Sequence, residues 1–184
     1  LLLAVGLTAC SAALVPLSFD PKTKLAQAYQ LLNEFNRPLP AERLIREAYD
    51  IFQTRQDEKG MADAYQLYGF FFATPAVSNW SHIYAKNGFE DGSSYAYRFR
   101  TSAEYYSRSA AHYTNIGDFA SASAVRLIAA RTYRRASDPV KACAAFDQSL
   151  EAYWKYMTAN PETEVSLPAG YTSFEDVIRD EKKP

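Results

Sequence analysis

Helix-breaking signals cut most of this chain into pieces of single-helix length, and within each piece the apolar residues recur with a helical period. The breaks are Asp20-Pro21, Asn36-Arg37-Pro38-Leu39-Pro40, Gln56-Asp57-Glu58-Lys59-Gly60, Thr74-Pro75, Asn115-Ile116-Gly117-Asp118, Ser137-Asp138-Pro139 and Asn160-Pro161. Proline fits the first turn of a helix and not its interior, and aspartate before it accepts hydrogen bonds from the free N–H groups of that turn. An amphipathic helix too short to stand alone has to bury its stripe against another helix. That combination predicts an all-α protein of stacked antiparallel helical hairpins.

The stripes can be read off in order. Leu25, Ala28, Leu32 and Phe35, flanked by Tyr29, mark a first helix, and Leu44, Ala48, Ile51 and Phe52 a second that opens near Ala41. Met61, Ala64, Leu67, Tyr68 and Phe71 mark a third, and Tyr97, Ala103, Tyr106, Ala110 and Tyr113 a long fourth. Ala122, Val125, Ala129 and Tyr133 form a fifth, and Ala142, Phe146, Leu150, Tyr153 and Met157 a sixth. Gly117 suits the left-handed position that ends a helix, and Thr172-Ser173-Phe174-Glu175 reads as a capping box. Residues 75–94, which hold Trp80, His82, Tyr84 and Phe89, have no sustained period and read as an irregular insertion. A helical domain is thus expected over residues 21–160, followed by a loop and a short helix over 161–184.

Most chemistry leaves no trace here. The chain lacks a His-Glu-x-x-His pair, a glycine-rich phosphate loop, a paired-cysteine site and a Gly-x-Ser-x-Gly elbow. Neither a catalytic residue, a metal ligand nor a cofactor is therefore assigned. His112, between Ala111 and Tyr113, reads as a helix-packing residue, and Cys143 as a small buried one. The net charge of -1 offers no field that would attract nucleic acid.

Two stretches carry a resemblance. Leu7-Thr8-Ala9-Cys10, closing an uncharged apolar run, resembles the lipobox of bacterial lipoproteins, in which small residues precede an acylated cysteine. The resemblance implies that residues 1–9 are a signal-peptide remnant, that Cys10 is the lipidation site, and that residues 10–20 form a tether. Ser11 after the cysteine implies an outer-membrane anchor facing the periplasm. Residues 125–146 resemble a tetratricopeptide repeat: Ala130 and Tyr133 match the small–aromatic pair of its first helix, and Ala142 and Phe146 that of its second. Arg126 and Ala129 stand where the repeat usually has Trp and Leu.

Such repeats bind peptides or protein surfaces. The resemblance therefore implies a non-enzymatic protein-binding role, either as an immunity protein against a toxic effector or as an accessory to outer-membrane, pilus or secretion-system assembly. A degenerate envelope hydrolase is a more remote reading. Residues 98–135 hold seven arginines against Glu104 and Asp118, the most positive part of the chain. Arg126, Arg131, Arg134 and Arg135 are accordingly the expected contacts for a partner, with Trp80 and Tyr84 as aromatic anchors of the hot-spot type.

Cys10→Ala removes the thiol that carries the lipid, and two or more acyl chains are what make anchoring stable. The variant is expected in the soluble fraction and the parent in the membrane fraction; equal membrane association of both would remove the lipoprotein reading.

Overall fold

The structure, a computed structural model, describes residues 18–183, so Cys10 and the lipobox lie outside the described residues. Among these residues the fold is entirely helical: α1 Pro21–Asn33, α2 Pro38–Thr54, α3 Glu58–Ala73, α4 Pro75–Asn79, α5 Ser81–Asn87, α6 Arg98–Asn115, α7 Phe119–Arg135, α8 Pro139–Ala159 and α9 Phe174–Glu181. A 3-10 turn at Tyr95–Tyr97 leads into α6. The main packing runs in chain order, α1 on α2, α2 on α3, α3 on α6, α6 on α7 and α7 on α8, with α9 returning to α8. None of the described helices is long and apolar enough to cross a membrane.

One turn design recurs three times. Phe52, Tyr113 and Tyr133 each present a carbonyl to the N–H five residues on, that of Asp57, Asp118 and Asp138, at 2.9 Å in every case. The residue just before each aspartate is left-handed: Gln56 (φ 54°), Gly117 (φ 76°) and Ser137 (φ 58°). Each aspartate then caps the next helix, accepting from the N–H of Gly60 at 2.8 Å, Ser121 at 3.0 Å and Lys141 at 3.2 Å. A Schellman-type stop and an aspartate start are thereby fused in a three-residue link, which forces neighbouring helices to fold back on one another.

Two large apolar clusters share the molecule. One joins Leu31, Leu32, Ile45, Phe71, Phe72, Val77, Tyr84 and Phe89; the other joins Ala103, Tyr106, Tyr113, Val125, Tyr133, Phe146 and Ile178. Phe70 packs against both, and a smaller group forms around Phe52 and Met61. Ala130, Tyr133, Ala142 and Phe146 are all buried, as the small–aromatic spacing predicts.

Several expectations need correction. Phe35 is not core: α1 stops at Asn33, which turns that ring outward at 52% exposure. α2 opens at Pro38 rather than Ala41. Tyr97 precedes α6 and is exposed. Residues 75–94 are not irregular throughout, because Thr74 caps α4 and α5 follows directly on Trp80. The cap of α9 is Ser173 bonded to the Asp176 N–H, one position later than the box read from Thr172 and Glu175. Cys143 is exposed.

Phe146 is 1% exposed and sits between α7 and α8. Phe146→Ala is expected to cost roughly 3 to 5 kcal/mol in urea unfolding. Cys143→Ala, on the outside of the same helix, should leave the midpoint unchanged.

Candidate functional site

The insertion is closed by a carboxylate that the sequence pattern does not reveal. Glu42 on α2 is 1% exposed, and its Oε1 accepts from the backbone N–H of Glu90 at 2.7 Å and from the Tyr68 hydroxyl at 3.3 Å. Burial pushes the Glu42 carboxyl up to about 7, with the nearby charges of Glu90 and Asp91 adding to the effect. Around this group stand Tyr84 and Tyr105, whose phenols are pushed far above their ordinary range chiefly by burial. Tyr105 donates to Asp91 at 2.8 Å, and Arg46 pairs with Glu90 at 3.4 Å. The network ties α2, α3 and α6 to the returning arm of the insertion, from beneath its surface.

This placement changes the reading of the two aromatic anchors. Tyr84 is 1% exposed, its ring stacked on Phe89 at 4.5 Å, and so faces the core. Trp80 is half-buried; its indole Nε1 donates to the Asn36 carbonyl at 3.0 Å, fastening the insertion to the α1–α2 turn. Neither stands free at a rim.

Most of the helix-α7 arginines also have internal partners. Arg131 and Arg134 close on Glu181 of α9, at 2.7 Å and 2.9 Å. Arg126 donates to the Gln148 carbonyl at 3.2 Å and to Thr114 at 3.3 Å, and burial lowers its pKa. Arg135 lies over the Phe99 ring at 3.9 Å. Arg135 therefore has a different partner from the Arg131–Glu181–Arg134 clamp, and the four do not share one.

Two apolar hollows open on the helix stack, and both draw on α7. The first, about 380 Å³, lies between Tyr29, Leu67, Phe70, Tyr106 and Ile128, with Asp63 and Gln66 at its border. The second, about 400 Å³, is formed by Ala124, Leu127, Tyr153 and Tyr156 beneath Leu167, Pro168 and Phe174. Tyr29 stacks on Phe70 at 5.7 Å yet stays 54% exposed, and Ile128 is 36% exposed. The sequence pattern does not reveal this surface, because Leu67 reads as part of a buried stripe, Tyr29 only as its flank and Ile128 as part of none.

Among the described residues no three His, Cys, Asp or Glu side chains group as a metal site. His112 meets Glu58 at 2.7 Å and packs on Tyr65. Comparison with family models, with curated proteins and with solved structures finds no match to this chain.

Glu42 holds its proton more tightly in the folded chain (about 7) than in the unfolded one (4.5). The stability this contributes is complete below the unfolded value and is lost as pH rises through the folded one, a change on the order of 3 kcal/mol. Glu42→Gln keeps an acceptor for the Glu90 N–H and cannot titrate. The parent should therefore lose urea resistance between about pH 5 and about pH 8, and the variant should lose clearly less; equal slopes would show that Glu42 does not carry the effect.

Proposed function

We propose that this chain is a non-enzymatic lipoprotein, anchored through Cys10 at the bacterial outer membrane and facing the periplasm, that binds another protein along a tetratricopeptide-like superhelix. The observation that carries the reading is the pair of apolar hollows on α7, with Tyr29 and Ile128 left half-uncovered at the first of them. Exposed apolar surface set in a helix stack is what a partner's side chains displace water from. The packing of helices in chain order and the buried set Ala130, Tyr133, Ala142 and Phe146 support repeat-like stacking. For the partner we propose a toxic effector delivered into the periplasm, which this chain neutralises; service in outer-membrane, pilus or secretion-system assembly is the other role the repeat resemblance implies.

The test is photo-crosslinking in cells, with the reactive residue placed at Ile128, at Tyr29, or at the exposed position Ile116, which lines neither hollow. The first two should give one discrete protein adduct and Ile116 none. Ile128→Asp should weaken association with that protein by about tenfold or more, the scale of one hot-spot residue, with little change in melting temperature. Adducts from Ile116 alone would place the partner elsewhere. Cells expressing Ile128→Asp should also lose protection from the effector; intact protection would remove the immunity role.

A further inference from the structure

Of the seven arginines in residues 98–135, four have their partners away from the start of α6. Arg126 bonds to α8 and to Thr114, Arg131 and Arg134 clamp Glu181, and Arg108 lies over the Tyr105 ring at 5.1 Å. The other three, Arg98, Arg100 and Arg135, converge where α6 begins and the α7–α8 turn passes. Tyr97, Phe99, Arg100, Arg135 and Ser137 line a cleft there of about 280 Å³.

We propose that this cleft binds carboxylate side chains of an acidic segment of a partner protein, with Arg100 and Arg135 as the charge contacts and Tyr97 as the aromatic wall. The proposal rests on the protein-binding reading above and adds the partner's chemistry.

Two of the three guanidiniums, those of Arg98 and Arg135, are set by rings, whereas Arg100 reaches the Asp138 carboxylate. Arg98 lies 4.3 Å from the Tyr95 ring and 4.2 Å from that of Phe99, and Arg135 lies 3.9 Å from Phe99. The Arg98 Nε–H is buried without a hydrogen-bond partner. Stacking on a ring orients a guanidinium plane while leaving its edge donors available, and those donors match a carboxylate in a two-pronged fork. Because the Arg135 plane is already ordered on Phe99, binding there loses little rotamer freedom.

The acids nearby do not balance this charge. Among the described residues Asp138 is the one carboxylate paired with the three, reaching Arg100 at 3.7 Å, and it already caps α8. Glu104 is paired with Lys141 at 3.1 Å, so the lysine and that acid offset each other. Tyr97 is 63% exposed beside the charges, the pairing of aromatic and arginine found at binding hot spots. The chain as a whole carries a net charge of -1, which argues for a local carboxylate contact rather than for attraction of a nucleic-acid backbone.

The experiment is an NMR titration of the full ¹⁵N-labelled chain, following arginine Nε–Hε and backbone signals. Three probes are used: a blocked hexapeptide of alternating Glu and Asp, inorganic phosphate, and a short single-stranded DNA. The peptide should shift Arg100, Arg135 and Tyr97, and its affinity should fall about tenfold or more between low and high salt. Arg100→Glu with Arg135→Glu should abolish these shifts, and Arg100→Gln with Arg135→Gln serves if the charge reversal unfolds the protein. Arg135→Lys, which keeps the charge but loses the fork, should weaken the peptide several-fold. Phosphate shifting the same signals as strongly would overturn the peptide in favour of a small-anion site, and tighter binding of DNA would overturn it in favour of a nucleic acid. Unmoved cleft signals would overturn the proposal outright. Peptide shifts confined to Tyr29, Leu127 and Ile128 would do the same while leaving the protein-binding reading standing.

Discussion

The close approach of α3 and α6 is the contact on which the rest of the molecule depends. A methyl group at Gly69 would sit 2.9 Å from the Tyr106 ring, so the missing side chain is what lets that ring lie on the α3 backbone. At this distance the serines of α6 reach the carbonyls of α3: Ser102 donates to Gly69 at 2.6 Å and Ser109 to Ala62 at 2.8 Å, both fully buried. A hydroxyl so buried would carry a desolvation penalty of a few kcal/mol without its acceptor, so each bond also fixes the register of the two helices. Ser123 and Ser149 repeat the device between α7 and α8, each donating to the other's carbonyl at 2.9 Å and 2.8 Å.

Once α3 and α6 are joined directly, the chain between them has to leave the stack and return. That excursion explains the insertion. It carries Val77, Tyr84 and Phe89 into the cluster of α1–α3, and it is held on its return by Glu42 and at its far side by Trp80 on the Asn36 carbonyl. The Glu42 Oε1, with its two lone pairs, takes a backbone N–H and a phenol at once, which an apolar side chain at position 42 could not. The accompanying cost is a buried acid that resists ionising, and it makes the insertion's attachment sensitive to pH.

The periodicity and the proline–aspartate signals were enough to read the long helices α1–α3 and α6–α8, their order and the residues of the α7–α8 core, because these depend on spacing within one element, whereas the short α4 and α5 carry no sustained period. The fused turn was only partly visible: Gly117 announces its left-handed residue, whereas Gln56 and Ser137 occupy the same conformation without any compositional sign. Phe35 and Cys143 went wrong for one reason. An apolar residue at the right period is buried only if the helix continues and a neighbour covers that face, and neither condition is written locally. The arginines show the same limit. Arg131 and Arg134 look like a free basic face until α9, about fifty residues on, places Glu181 between them. Glu42 could not be found at all, since a single acid in an amphipathic helix reads as its solvent side.

Helix α7 is where these constraints meet. Its buried side packs on α6 and α8, its Arg131 and Arg134 hold α9, Leu127 and Ile128 open toward the apolar hollows, and Arg135 ends the helix at the aromatic cleft. Ile128 and Arg135 are seven residues apart, close to two turns, so they project from nearly the same side about 10 Å apart along the axis. A partner segment of a few residues could therefore set an apolar side chain against Ile128 and an acidic one against Arg135 on a helix already fixed by its neighbours. Little ordering on this side would then be needed, and affinity would come from desolvating the apolar contact while salt-dependent encounter came from the charged one.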